Sequence, residues 1–246
     1  MNFFIDFGYI KEVFPFAEMI SSMVCFLIIL VLALIINFKA KRADPLKKPK
    51  GILLLAEIGV EKCDAFVSTN MGRIFKKRLS PYIGFVFMYI LLAFIIGLLG
   101  FSSPMTYYIV PLSLALMTFL LIHITSIKYT KASYFKRYIS PFPVFLPINL
   151  LSMWAPLLSL SFRLFGNACA GWVLMSLIYG VFQMISEAIF AGLSLPIAAI
   201  VTPFLHAYFD VFSGFIQTLI FAYLSMLLIA AEVPDGIDVN DLSIDF

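Results

Sequence analysis

The sequence predicts an all-α polytopic membrane protein with about five membrane-embedded helices, and three observations carry that class. Hydrophobic residues occupy 62% of the 246 positions and charged residues 13%, against about 45–50% and about 25% in an average soluble domain. Phenylalanine alone occurs 27 times. Charge is also absent from long continuous stretches, and about 20 apolar residues suffice for a helix to cross roughly 30 Å of hydrocarbon. The net charge of +3 is not gathered into a basic stripe, so nucleic-acid binding is a poor reading. Cys25, Cys63 and Cys169 form no CxxC pair and no cluster with the two histidines. Neither a disulfide framework nor a metal site is expected.

The elements follow in chain order within one membrane domain, residues 1–246. Residues 1–15 are read as an external N-terminus without a basic n-region or cleavage site, so the first span is retained. That span covers residues 16–38, of which 19–38 carry no charge. Residues 39–80 form a basic cytoplasmic segment. Its part from 52 to 78 mixes apolar and charged positions, which suits an amphipathic helix on the inner membrane surface and equally suits a solvated linker. Residues 81–127 hold two spans, broken near Gly100–Pro104 by turn chemistry. A basic cytoplasmic loop covers 128–140. Residues 141–231 are read as a helical hairpin with arms of roughly 147–190 and 196–231. The first arm would be some 66 Å long at 1.5 Å per residue, too long for an upright span, so it is bent, split or strongly tilted. An acidic cytoplasmic tail, 232–246, closes the chain.

Lysine and arginine set the orientation. Eleven of the 17 lie between positions 39 and 78, and four more between 128 and 137. Both segments are expected inside, which places the N-terminus outside and the C-terminus in the cytoplasm. No P-loop and no internal repeat occurs, and no cofactor is called for.

Only Arg163, Glu187 and Asp210 are formally charged between positions 138 and 231. A charge inside a bilayer costs at least about 2.5–3.5 kcal/mol on insertion scales, which makes each a functional-site hypothesis. Ser159, Arg163 and Asn167 recur every four residues and share one helix face. Gly166 and Ala170 beside them form a small-xxx-small pair that lets another helix approach. The plainer reading of Arg163 is an internally satisfied or snorkelling cation; its depth of about 16 residues in the arm disfavours the latter. On the second arm His206, Asp210, Ser213 and Gln217 form a polar stripe at helical spacing. That stripe fits an aqueous cleft or proton path better than it fits a hydrogen-bonded packing seam. Antiparallel folding about residue 193 sets Arg163 opposite Tyr223 and Asp210 opposite Ser176, with Glu187 and His206 nearer the outer turn.

The run Ser159-Leu-Ser-Phe-Arg163-Leu-Phe-Gly-Asn167, then Ala170-Gly171, with Gln217-Thr-Leu-Ile-Phe221 downstream, resembles subunit a of the F-type rotary ATP synthase, bacterial type. Weaker similarity extends from about residue 50 to 232. The resemblance implies a non-catalytic stator subunit beside a ring of c subunits. Two half-channels would reach the ring's carboxylates, with Arg163 as the essential charge between them and Asn167 and Gln217 around it. It further implies peripheral-stalk b subunits, a soluble ATPase head reached indirectly, and a bacterial plasma membrane as the setting. The translocated ion would be a proton, in preference to sodium. Trp172 and Asp210 depart from the bacterial pattern, which has glutamate and histidine there, so His206 or Glu187 is expected to assist Asp210. An Asp-x-Asn feature is replaced by Tyr108 and Ile109. The alternative function is a stand-alone secondary transporter or channel for an anionic solute, which inverted repeats would favour; a purely structural subunit would not explain Arg163.

Overall fold

The computed structural model describes residues 15–44, 48–99, 101–131, 133–140, 142–190 and 196–234. Helix α1, Pro15–Arg42, continues past the uncharged run and ends on Lys39, Lys41 and Arg42, cations that complement the negative end of the helix dipole. Helix α2, Ile52–Met71, is separated from α3, Arg73–Ile95, by Gly72 alone. Gly72 has φ 87°, a conformation without steric penalty only for glycine, and the chain doubles back there. The Cys63 thiol of α2 donates to the Ser80 carbonyl of α3 at 3.3 Å. Asp64 pairs with Lys76 at 3.5 Å. Residues 52–71 are thus a helix docked on the bundle and not a linker. Burial raises the Cys63 thiol above its ordinary range, with the Asp64 charge adding to the effect.

After α3, single 3-10 turns at Ile96–Leu99 and Pro104–Thr106 make the break between spans. The Ser103 hydroxyl ties it down by donating to the Ala93 carbonyl at 2.9 Å. Helix α4, Ile109–Thr130, stops at Lys131, whose φ of 49° leaves the helical region. A short helix α5, Ser133–Ile139, lies in the segment read from the sequence as a basic loop. Its Arg137 donates twice to the Glu232 carboxylate, at 2.8 and 3.1 Å. Beside it the Tyr134 phenol is pushed up to about 12, by burial first and then by its hydrogen bond with Tyr138.

Helix α6, Leu146–Phe190, is unbroken over 45 residues although Pro156 lies inside it, so the first arm is not split. The second arm differs from a uniform helix. It runs as α7, Pro196–His206, then a π turn at Ala207–Phe212, then α8, Ser213–Ala230. Five helical stretches among the described residues are long and apolar enough to cross a membrane: 18–42, 75–99, 109–130, 146–185 and 201–230.

Helices α3, α4 and α8 form the centre, α6 lies along α4 and α8, and α1 adds to the flank of α3. Ile90, Leu114, Phe119, Leu160, Leu164 and Phe221 meet in the larger apolar core. Val67, Ile83, Ile122, Met226 and Ile229 make a second core where α2 closes the bundle. Between apolar helices in lipid, interhelical hydroxyls and close backbone approach supply much of the specificity. Tyr82 and Thr118 share a hydrogen bond at 2.7 Å, and Ser22 and Tyr89 one at 2.6 Å. A Cβ on Gly214 would stand 2.6 Å from Cβ of Phe94, so α3 and α8 touch there only because residue 214 is glycine.

Candidate ion-path site

The polar residues of the hairpin meet along the seam between α6 and the second arm. Nearest the hairpin turn, His206 Nδ1 lies 2.6 Å from Asp210 Oδ2. Opposite an ionised carboxylate, which can only accept, the ring would supply the proton of that bond. The other ring nitrogen, Nε2, lies 2.9 Å from the Tyr179 hydroxyl of α6. Both His206 and Asp210 remain partly exposed, at 33% and 26%.

The π turn begins directly after His206 and contains Asp210. Such wide turns occur mostly as single interruptions of α-helices, often at functional sites. Past it, the Ser213 hydroxyl donates to Asn167 Oδ1 across the seam at 3.0 Å. This pairing corrects the register expected from folding about residue 193, which would set Ser213 opposite position 173. One turn further along each helix lie Arg163 on α6 and Gln217 on α8. Gln217 is buried, and its Nε2 has no hydrogen-bond partner among the described residues.

Arg163 is half-buried and enters no ion pair among the described residues. The aromatic residues flanking it are held by Tyr108, the residue just before α4. Tyr108 stacks on Phe162 and meets Phe165 edge-on, each with ring centroids 5.4 Å apart. The Tyr108 hydroxyl lies 3.2 Å from that of Ser161. Tyr108 stands where the sequence departs from the Asp-x-Asn feature, and the structure puts an aromatic anchor there. Gly166 and Ala170 are exposed beside Arg163, and open space surrounds Gly166. Ser159 is also exposed; the buried serine of that run is Ser161.

Glu187 lies on α6, two turns beyond Tyr179, but its side chain falls outside the described residues. Tyr179 was not among the candidates from sequence. The only signal for it is its position opposite His206 once the two arms are folded together. No group of three His, Cys, Asp or Glu able to hold a metal ion occurs among the described residues.

Long apolar helices carrying a half-buried arginine and a partly exposed carboxylate–imidazole pair point to a membrane subunit that handles ions. The sequence profile of the ATP synthase A chain family matches residues 19–230. The protein is 30% identical over 95% of its length to ATP synthase subunit a of Mycoplasma genitalium, covering 85% of that protein. It is 32% identical over 87% of its length to the subunit of Mycoplasma pneumoniae, covering 78%. It is also 27% identical over 94% of its length to a subunit a named as sodium ion specific from Propionigenium modestum, covering 81%. The chain belongs to the ATP synthase A chain family. It is a non-catalytic, ion-translocating stator subunit of an F-type ATP synthase, and the stand-alone transporter reading is set aside.

Proposed function

We propose that this subunit offers two half-channels to the carboxylates of a ring of c subunits, separated by the charge of Arg163. The observation that carries this reading is a half-buried guanidinium, free of internal carboxylates among the described residues, beside the open face of Gly166 and Ala170. Small residues at that face let a ring helix come close. A ring carboxylate arriving there is held in its ionised form by the fixed positive charge. It must therefore have released its ion on one side and reloads on the other. Asn167 and Gln217 lie one turn from Arg163 and one turn from Ser213 respectively, and are polar neighbours of the passage. Asp210, with His206 bonded to it, serves the outer half-channel; Glu187 lies nearer the outer turn. Ser159 borders the ring-facing side. The membrane potential contributes about 2.3 kcal/mol per charge per 100 mV.

The partners on this reading are the c ring, peripheral-stalk b subunits and, indirectly, the soluble ATPase head. The setting is a bacterial plasma membrane, the termini are external (N) and cytoplasmic (C), and the coupling ion is the proton. The deciding experiment replaces Arg163. Guanidinium stays charged in a low dielectric, whereas a buried lysine loses its proton readily and presents a point charge in place of a planar fork. Arg163→Ala should abolish proton-driven ATP synthesis in a fully assembled complex and raise passive ion leak, and Arg163→Lys should be severely impaired. Normal synthesis by an assembled Arg163→Ala complex would overturn the mechanism.

A further inference from the structure

We propose that Tyr179 is a positioning residue of the outer path, holding the His206 ring so that its Nδ1 proton points at Asp210 in either charge state of the ring. The inference rests on the reading that Asp210 belongs to that path. His206 is the only ring in the described seam with both nitrogens engaged: Nδ1 to Asp210 Oδ2 at 2.6 Å and Nε2 to Tyr179 Oη at 2.9 Å. Which nitrogen of a neutral imidazole carries the proton is set by the bonds the two nitrogens make. With an ionised Asp210 on Nδ1, a neutral ring must keep its proton there and leave a lone pair on Nε2. The phenol then donates to Nε2.

When the ring gains a proton, one N–H bond forms at Nε2 and that nitrogen becomes a donor. The proton comes from water on the outer side and returns there, or leaves through Asp210. The phenol oxygen can accept as well as donate, so Tyr179 answers by rotating one O–H bond. Both states of the rung are then fully hydrogen-bonded without movement of the ring. Phenylalanine could fill the same space and satisfy neither state. The ring contact of Tyr179 with His206, centroids 6.0 Å apart at 46°, adds packing that phenylalanine would keep.

Packing and positioning are therefore separable. In the complete synthase reconstituted into liposomes, Tyr179→Phe should lower ATP-driven pumping and proton-driven synthesis about tenfold, the scale of one lost hydrogen bond. Tyr179→Gln, which loses the aromatic ring but keeps a donor and an acceptor, should retain more activity than Tyr179→Phe. In ¹⁵N-histidine-labelled complex, the signals of His206, assigned by their loss in His206→Gln, should move from the Nδ1–H form towards a mixture with Nε2–H in Tyr179→Phe. Unchanged signals, or a fully active Tyr179→Phe beside an inactive Tyr179→Gln, would overturn the proposal. Asp210→Asn separates the two levels. Coupled rates lost in Asp210→Asn and kept in Tyr179→Phe reject the positioning role alone. Rates kept in Asp210→Asn reject the path itself, and the proposal with it.

Discussion

Asp210 combines partial exposure with a 2.6 Å bond to the His206 ring, and the proposed outer path rests on that combination. Asp210→Asn keeps the size and the acceptor oxygen but cannot exchange a proton. Positioned acid–base groups contribute typically 10²–10⁴-fold. Coupled synthesis and pumping should fall by about a hundredfold or more, while ATP hydrolysis by the detached head is unaffected. Unchanged coupled rates in an assembled complex would transfer the role to Glu187 or His206. The spacing of His206 and Asp210 was legible because residues four apart on a helix are neighbours by geometry alone. Tyr179, 27 positions before His206, was not singled out: folding about residue 193 brings it near His206, but a register does not say which side chain turns into the seam. Ser159 shows the same limit from the other side. A four-residue repeat places it on the face of Arg163, but only packing decides that this face is open there and that Ser161 is the buried serine.

The helices read from uncharged runs were found where those runs lie, with ends moved by several residues. Arginines and lysines extend α1 and α3 beyond the apolar stretch, since a helix does not have to end where hydrocarbon does. The π turn in the second arm had no sequence signal. It is a change in hydrogen-bond spacing, and the residues Ala207–Phe212 would serve an α-helix as well. Close contact between elements is also testable at this scale. Gly214→Ala would force Phe94 aside, because the added Cβ falls 2.6 Å from its Cβ. Overpacking of this kind costs about 1–3 kcal/mol, so the variant complex should lose thermal stability in detergent. Gly59→Ala has open space around it and exchanges a poor helix former for a good one, a gain of up to about 1 kcal/mol. Equal melting temperatures for the two variants would refute the close approach of α3 and α8.

Across the whole molecule, the two-pronged bond between Arg137 and Glu232 brings the basic segment after α4 to the end of α8. The end of the last span and that segment therefore share one side of the bundle. Retention of lysine and arginine inside predicts a cytoplasmic C-terminus and an external N-terminus. Impermeant thiol labelling of Asn2→Cys from outside intact cells should succeed, and labelling of Asp245→Cys should fail; the reverse pattern would invert the topology. The sequence by itself determined the class, the spans and the presence of a costly arginine, because hydrocarbon tolerates only long apolar helices and makes every interior charge conspicuous. It also determined the family, through the residues around Arg163 and Gln217. The tertiary structure alone decided which polar residues meet: Tyr179 with His206, Asn167 with Ser213, Tyr108 against Phe162. Those pairings depend on how two helices are rotated and offset against each other. In a seam between uniformly apolar surfaces, no hydrophobic periodicity records that rotation; interlocking side chains such as Phe94 against Gly214 set it.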